Sequence, residues 1–191
     1  MDSNKIRYGL SNVYVGTYTD DGQGNVTLGT PYHQKGAVSL SLDPETEEST
    51  FWADNSKYYS ESKDNGYSGT LETAKFDDTF KTNFMNYVAM TGGGVGEVKT
   101  KKNATVYVIF QVEGDVQARR TILYNVTLGQ ISYSHSTSED TTEPGTESLP
   151  ITVIGDNNSG LVKASYEVGD TPYDTLFTNP PVPAVPAGSE S

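Results

Sequence analysis

The sequence predicts a mainly β protein, arranged as a β-sandwich with one flanking α-helix. Three features of its 191 residues point to this fold. Several segments alternate apolar and polar residues with the two-residue period of a half-buried strand. Clusters of Gly, Asp and Asn separate these segments, as turns do. A single stretch repeats phenylalanine every four residues, which is the spacing of an amphipathic helix.

The predicted half-buried strands each have one apolar side. Residues 12–19 place valines on one face and tyrosines on the other. Residues 36–43 alternate in the same way, with Val38 and Leu40 directed toward the core. Residues 67–76 show a similar alternation. We therefore expect one face of the strands at 36–43 and 67–76 to be buried and the other to be solvated.

A different pattern occurs at residues 104–112, where both faces of the strand are apolar. Val106 and Val108 lie on one face, and Tyr107 and Ile109 lie on the other. Such a strand is buried on both sides, either inside a sandwich or at a subunit boundary. Residues 116–128 are also β-rich and are predicted to pair with it as a hairpin. Turns are predicted at residues 20–25, 64–66, 113–115 and 155–160.

One helix is predicted after residue 76. Asp77 or Asp78 can cap its N-terminus, where acidic side chains also interact favourably with the helix dipole. Residues 91–96 are rich in glycine and are expected to stop the helix and begin a flexible loop that reaches about Lys102. The predicted apolar stripe consists of Phe76, Phe80, Phe84 and Val88, with Met85 beside them.

The predicted organisation is one domain with two arms. Residues 8–168 form the β domain, within which residues 45–64 are expected to be a long loop, and residues 1–7 form a polar N-terminal arm. Residues 169–191 are rich in proline, which is incompatible with regular structure. This end is expected either to be disordered or to lie as an extended arm on a neighbouring subunit.

Composition argues against most enzymatic chemistry. The chain has no cysteine and only two histidines, which argues against thiolate metal sites, a cysteine nucleophile and a His-rich metal site. The glycine-rich residues 92–96 lack the Gly-Lys-Ser/Thr ending of a phosphate-binding loop and follow a helix instead of opening one. We therefore expect no catalytic, cofactor-binding or metal-binding residues and no enzymatic activity.

Charge and hydropathy restrict the partners. A net charge of −12 disfavours ordinary nucleic-acid binding, because such a surface repels phosphate. No apolar stretch has the length that spans a bilayer, and the first residues lack the apolar region of an export signal, so no membrane partner is expected.

Three stretches together resemble the major tail proteins, or tail tube proteins, of siphophages and related prophages. The resemblance covers roughly residues 6–163 and rests on the joint occurrence of these stretches, none of which is a catalytic motif. They are residues 36–45 followed by Phe51-Trp52-Ala53-Asp54-Asn55 and Tyr58-Tyr59, residues 65–72 leading into the predicted helix, and residues 114–125 followed by 143–149.

The resemblance implies a structural virion protein with the tail-tube fold. Subunits of this family close into hexameric rings, and the rings stack into the tube of a long, non-contractile tail through which DNA leaves the capsid. The implied partners are further copies of the chain and other tail proteins, such as the tape measure, distal tail and tail terminator proteins. The implied location is the virion tail, after assembly in the host cytoplasm, with DNA passing through without specific binding.

Two sets of residues are candidates for these roles. A lumen that does not retain DNA needs acidic or neutral polar side chains, since each lysine would add a salt-dependent contact to phosphate. The candidate lumen-facing residues are Ser39, Ser41, Asp43, Ser68, Thr70 and Glu72. The candidate inter-subunit contacts are Asp2, Lys5, Glu45, Glu47, Trp52, Tyr58, Tyr59, Arg119 and Arg120.

Two alternative functions remain open from the sequence. One is an exported or virion-displayed β-sandwich binding module of carbohydrate or adhesin type, for which Trp52, Tyr58 and Tyr59 could supply exposed aromatics. The other is a capsid decoration protein, which would bind a lattice without polymerising alone.

Overall fold

The computed structural model describes residues 9–53, 56–113, 118–133 and 145–184. The predicted fold class is confirmed, because the described chain is mainly β with a single short helix. In chain order the elements are β1 Leu10–Asp20, β2 Val26–Leu28, β3 Tyr32–His33, β4 Ala37–Ala53, β5 Ser56–Thr73, α1 Asp78–Phe84, β6 Tyr87–Ala89, β7 Val95–Glu97, β8 Thr105–Val112, β9 Arg120–Leu128, β10 Ser132–Tyr133, β11 Glu147–Val153 and β12 Lys163–Tyr166.

One large antiparallel sheet organises the domain. Its strands follow the order β2-β1-β8-β9-β11-β5-β4, while β3 pairs with β1, β10 with β11 and β12 with β9. Strands β6 and β7 form a separate small sheet. Strand β4 contacts β1, although the two are far apart in strand order, so the sheet curves until its halves face each other in the manner of a sandwich.

The main core, which we call the inner cluster, lies between these halves. It collects the inward side chains of β1, β5, β8, β9 and β11, and α1 adds Phe80 and Phe84. Full burial of one such aliphatic or aromatic side chain contributes about 1.5–3 kcal/mol. Its buried members are Val13, Val15, Leu71, Phe76, Phe80, Phe84, Met85, Val106, Val108, Leu123, Val126, Leu128, Ile131, Leu149, Ile151 and Val153.

A second core, the outer cluster, lies on the opposite face of β1, β8 and β9. Tyr107 and Ile109 of β8 belong to it, whereas Val106 and Val108 belong to the inner cluster. The prediction that this strand is buried on both sides is therefore confirmed. The buried members of the outer cluster are Tyr18, Tyr107, Ile109, Ile122, Tyr124 and Leu176.

The C-terminal segment covers the outer cluster. Tyr173 and Leu176 are buried, and Tyr124 Oη donates a hydrogen bond to the carbonyl of Pro181 at 2.9 Å. Residues 169–184 thus fold back onto their own domain, which neither alternative from the sequence described. Proline excludes this segment from the sheet ladders, but successive turns at residues 170–178 still present apolar side chains to the sheet.

The predicted loop at residues 45–64 and the predicted turn at 64–66 are wrong. Strand β4 pairs with β5 through this region, from Thr46↔Asp64 to Ala53↔Ser56, with one register shift between Phe51 and Trp52. Gly66 has φ of 92°, and a Cβ atom there would lie 2.0 Å from the carbonyl oxygen of Val153. The Asp-Asn-Gly sequence therefore marks a bulge inside a long strand, where the register also shifts, and the chain does not reverse there.

The helix is shorter than predicted. Its N-cap is confirmed, because the Asp77 carboxylate accepts a hydrogen bond from the Phe80 amide at 2.7 Å. The helix ends at Phe84, however, and Val88 lies in β6 with 36% of its surface exposed. The backbone N–H of Asn86 donates to Asn103 Oδ1 at 2.9 Å, and not to a carbonyl of the helix.

The glycine-rich stretch after the helix is ordered into a hairpin. Strands β6 and β7 pair from Tyr87↔Glu97 to Ala89↔Val95, so the predicted flexible loop at 91–96 is wrong. Gly92, Gly93 and Gly94 all have positive φ, between 84° and 105°, which supplies the tight reversal between the two strands.

One inward residue of β4 was also predicted wrongly. Val38 is 52% exposed, whereas Leu40 packs on the inner cluster as expected. The register between β4 and β5 shifts between Ala37 and Ser39, which turns Val38 away from the core.

Candidate assembly surfaces

All six candidate lumen residues lie on one face of the sheet. They form three directly opposed cross-strand pairs, Ser39↔Glu72, Ser41↔Thr70 and Asp43↔Ser68, between β4 and β5. Directly opposed residues point to the same side of a sheet. The intervening side chains, such as Leu40 and Leu71, point to the inner cluster.

The same polar face continues across three further strands. Asp43 and Ser68 align with Thr152 of β11, Thr127 of β9 and Thr105 of β8. At about 4.8 Å between strands, this row of five is roughly 19 Å wide. A second row aligns Ser39 and Glu72 with Ser148 and Ser132. We call this surface the polar face.

The polar face is acidic and hydroxyl-rich. Ser39 Oγ donates to Glu72 Oε2 at 3.0 Å, and Thr146 donates to the other carboxylate oxygen. These hydrogen bonds, from Thr146 and then Ser39, lower the pKa of Glu72 below its ordinary value, so that it stays charged at neutral pH. None of the aligned positions carries Lys or Arg.

A two-stranded ribbon projects from one end of the sheet. Strand β11 pairs with β5 only between Tyr67 and Thr73, and no third strand joins β4 and β5 beyond that point within the described residues. The eight or so paired positions from Thr46↔Asp64 to Ala53↔Ser56 extend roughly 25 Å at about 3.3 Å per residue. We call residues 45–64 the ribbon.

Strand β4 also has a free edge. Within the part of the chain that the structure describes, its 17 residues pair only with β5. Beside the first half of β4 lies a groove of about 510 Å³, lined by apolar side chains that include Leu10, Val38 and Phe110. A long unpaired edge next to an apolar groove is suited to contact with another chain.

Among the candidate inter-subunit contacts, the two arginines are engaged within the subunit. Arg119 forms an ion pair with Glu167 at 2.7 Å. The guanidinium of Arg120 lies 4.0 Å from the ring centre of Tyr173 and 4.4 Å from that of Phe177. Arg120 therefore helps to hold the C-terminal segment on the outer cluster, and Arg119 binds Glu167 just before that segment. The inter-subunit role of both arginines stays a prediction.

The other inter-subunit candidates lie on the ribbon or outside the described residues. Glu45 and Glu47 are exposed on β4, and Tyr59 of β5 is 56% exposed. The backbone of Trp52 pairs with that of Lys57, and Tyr58 lies in β5 at the register shift beside this pair. Asp2 and Lys5 lie outside the described residues.

The histidine and the acidic residues in the described ranges do not form a metal-binding cluster. His33 stacks on Tyr14 with ring centres 4.6 Å apart. Within these ranges no three His, Asp or Glu side chains cluster closely enough to hold a metal ion. Nor does any described helix have the length and apolar character needed to cross a bilayer.

A buried carboxylate ties the loop after β11 to the first strand. Asp156 is 3% exposed, accepts a hydrogen bond from Tyr18 Oη at 2.6 Å and accepts two more from the amide and hydroxyl of Ser159. Burial alone would raise the pKa of Asp156, but the hydrogen bonds from Ser159, Tyr18 and Asn158 outweigh it, and the pKa lies below its ordinary value of 3.8.

Because of this carboxylate, the free energy of unfolding should depend on pH. A pKa lowered by folding means that Asp156 stabilises the protein above about pH 4, and that this contribution is lost as the pH falls through the folded-state pKa. We expect Asp156→Asn to lower the free energy of unfolding by about 1–3 kcal/mol at pH 7 and by less at pH 3. Urea unfolding of both proteins at the two pH values measures this, and an equal difference at both would contradict it.

Comparisons with known proteins give structural likenesses only. No protein-family model matches the chain, and no curated protein sequence does. A chain of an extracellular contractile injection system, from the PVC sheath-tube complex in its extended state, is similar with 9% identity and a TM-score of 0.49, over 86% of this chain and 94% of that one. A chain of the anti-feeding prophage (AFP) baseplate is similar with 8% identity and a TM-score of 0.45, over 88% of this chain and 99% of that one. At this level of similarity they assign no function.

Sequence reasoning missed several residues of the polar face. It did not place Thr105, Thr127, Ser148 or Thr152 with the six candidates, because strand pairing brings together residues that are far apart in sequence. A signal existed for β11, since Leu149, Ile151 and Val153 alternate with polar residues. Pro150 in the middle of that strand obscured it.

Proposed function

We propose that this chain is a structural protein that polymerises with copies of itself into a tail tube. The ribbon carries this proposal. A two-stranded hairpin with no supporting sheet is at best marginally stable in water, so about 25 Å of it is better explained as a contact element for a second copy. The free edge and apolar groove of β4 offer a further contact of the same kind.

The polar face is suited to line the tube. Its hydroxyl groups and the carboxylates of Asp43 and Glu72 offer phosphate no cationic partner at the aligned positions. DNA can then pass without contacts that depend on counterion release. In this proposal the six candidate residues face the lumen, together with Ser148 and Thr152, whereas Thr105 and Thr127 lie at the border of this face beside the lysines of residues 99–102.

The finer features of the proposal come from the resemblance in sequence. These are hexameric rings, a long non-contractile phage tail, assembly with tape measure, distal tail and tail terminator proteins, and a structural role without enzymatic activity. Within the ribbon, Glu45, Glu47, Trp52, Tyr58 and Tyr59 are the proposed inter-subunit contacts, and Asp2 and Lys5 are proposed contacts of the N-terminal arm.

Concentration-dependent assembly tests this function. Size-exclusion chromatography with light scattering, followed by negative-stain electron microscopy, should show rings or tubes as the protein is concentrated. A chain that remains monomeric throughout contradicts the proposal. Binding of a monomer to a glycan array would instead favour a carbohydrate-binding module.

Lysines placed on the polar face should make the tube retain DNA. We expect Ser41→Lys/Thr152→Lys to assemble normally, since both positions are exposed, but to bind duplex DNA with an affinity that falls steeply with salt. Filter binding at several salt concentrations measures this. The neutral control is Ser41→Gln/Thr152→Gln, and equal DNA binding by the two variants would show that this face is not the lumen.

A further inference from the structure

A basic groove lies where the loop before β8 meets the end of β9. Its volume is about 700 Å³, and its lining includes Lys99, Lys102, Asn86 and Glu97. The loop at residues 98–103 contains three lysines and no acidic residue, in a chain of net charge −12. This is the main concentration of positive charge that the proposed function leaves unused.

The loop is held firmly, so the charge is presented in a fixed place. Lys101 Nζ donates to the carbonyl of Thr82 at 3.1 Å and to that of Tyr87 at 2.7 Å. Asn103 Nδ2 donates to the carbonyls of Leu128 and Gly129 at 2.9 and 2.8 Å. Lys99 and Lys102 are exposed and form no ion pair with any described residue.

A buried acceptor in the groove also lacks a partner. Asn86 is 4% exposed, and its Nδ2 donates to Glu97 Oε1 at 3.2 Å, but its Oδ1 accepts no hydrogen bond within the described chain. Lysine side chains attract carboxylates, whereas this oxygen requires an N–H or O–H donor. An acidic peptide supplies both groups, the carboxylates of its side chains and the N–H donors of its backbone.

The ribbon has the matching composition. Its residues 45–64 include six Asp or Glu and two Lys. The ribbon also projects from the end of the sheet opposite to the end where the basic groove lies. Along β5, the ribbon lies on the Tyr67 side of Ser68, and the groove lies on the Glu72 side. The strand pairing shows this direction, because Thr127 lies level with Thr152 and Ser68, whereas Ser132 lies level with Ser148 and Glu72.

We propose that the basic groove of one copy binds the acidic ribbon of the next copy, head to tail along the tube axis. This inference rests on the proposed self-assembly and names its axial contact. Such a contact joins two different surfaces, so it can repeat without limit and generate a filament or tube. Lys99 and Lys102 pair with the carboxylates of the ribbon, and Asn86 Oδ1 accepts from one of its donors.

Charge exchange between the two surfaces tests the proposal. Lys99→Glu/Lys102→Glu and Glu45→Lys/Glu47→Lys should each raise the concentration needed for tubes by about tenfold or more, because like charges then face each other. In a mixture, the acidic groove of the first variant can face the basic ribbon of the second, and the basic groove of the second can face the acidic ribbon of the first. The mixture should therefore form tubes at the wild-type concentration. Negative-stain electron microscopy and light scattering report both results.

The control is Lys35→Glu/Lys75→Glu, which changes the net charge equally at exposed positions outside the groove and the ribbon. It should assemble as the wild type does, and thermal unfolding should show that every variant is folded.

Normal tubes from Lys99→Glu/Lys102→Glu, or no rescue on mixing, would overturn the docking while leaving the proposed function intact. A wild-type chain that never assembles would overturn the proposed function itself. Loss of duplex DNA binding by Lys99→Glu/Lys102→Glu with unchanged tubes would assign the groove to nucleic acid instead.

Discussion

Replacing residues 47–63 with Asn-Gly should give a folded, soluble protein that no longer forms tubes. The replacement closes β4 and β5 at the Thr46↔Asp64 pair with a two-residue turn that suits a hairpin. The described members of the inner and outer clusters all lie outside the deleted segment, so the free energy of unfolding should change little. Assembly should be lost completely, because the ribbon is the proposed contact between successive copies.

Light scattering and electron microscopy at high protein concentration measure this loss, and urea unfolding confirms that the domain is intact. A suitable control shortens another hairpin, by replacing residues 21–25 between β1 and β2 with Asn-Gly. That variant should still form tubes. Normal tubes from the ribbon replacement would show that the ribbon is not an assembly element.

Removing the C-terminal segment should have the largest effect on stability. Truncation after residue 170 removes Tyr173 and Leu176 and exposes Ile109, Ile122 and Tyr124 of the outer cluster. Leu176→Ala alone is expected to cost about 2–5 kcal/mol, the usual range for a buried leucine. The truncation removes more buried side chains than this single substitution does. The free energy of unfolding of a domain is only about 5–15 kcal/mol in total.

Urea unfolding followed by tyrosine fluorescence or circular dichroism measures this effect. We expect Leu176→Ala to lower the unfolding midpoint and the truncation to lose its cooperative transition. Truncation after residue 184 retains the contacts of residues 169–184 and should unfold as the full chain does. An unchanged midpoint for Leu176→Ala would show that this segment does not stabilise the domain.

Local patterns predicted the β class, the doubly buried strand β8 and the helix cap at Asp77. Each depends on residues that are close in sequence, such as the alternation of Val106 and Tyr107 or the Asp-Asp pair before Phe80. The six candidate residues of the polar face were found in the same way, because β4 and β5 each alternate regularly near them.

What the sequence did not predict depends on long-range pairing. Asp64-Asn65-Gly66 has the composition of a turn, but Gly66 lies beside Val153 of β11, and this neighbour makes the position a bulge. Val88 fits the helical spacing, but the Asn86 amide bonds to Asn103 and the helix has already ended. The prolines after residue 170 suggested an arm, although Tyr173 and Leu176 among them are buried on the outer cluster.

The most direct test of the account is a cryo-electron microscopy reconstruction of the polymer formed by the full chain. We expect a hollow tube in which Ser41, Thr70 and Thr152 face the channel and each ribbon contacts the next copy along the axis. A polymer with this face outward, or one in which the ribbon touches no neighbouring copy, would contradict it.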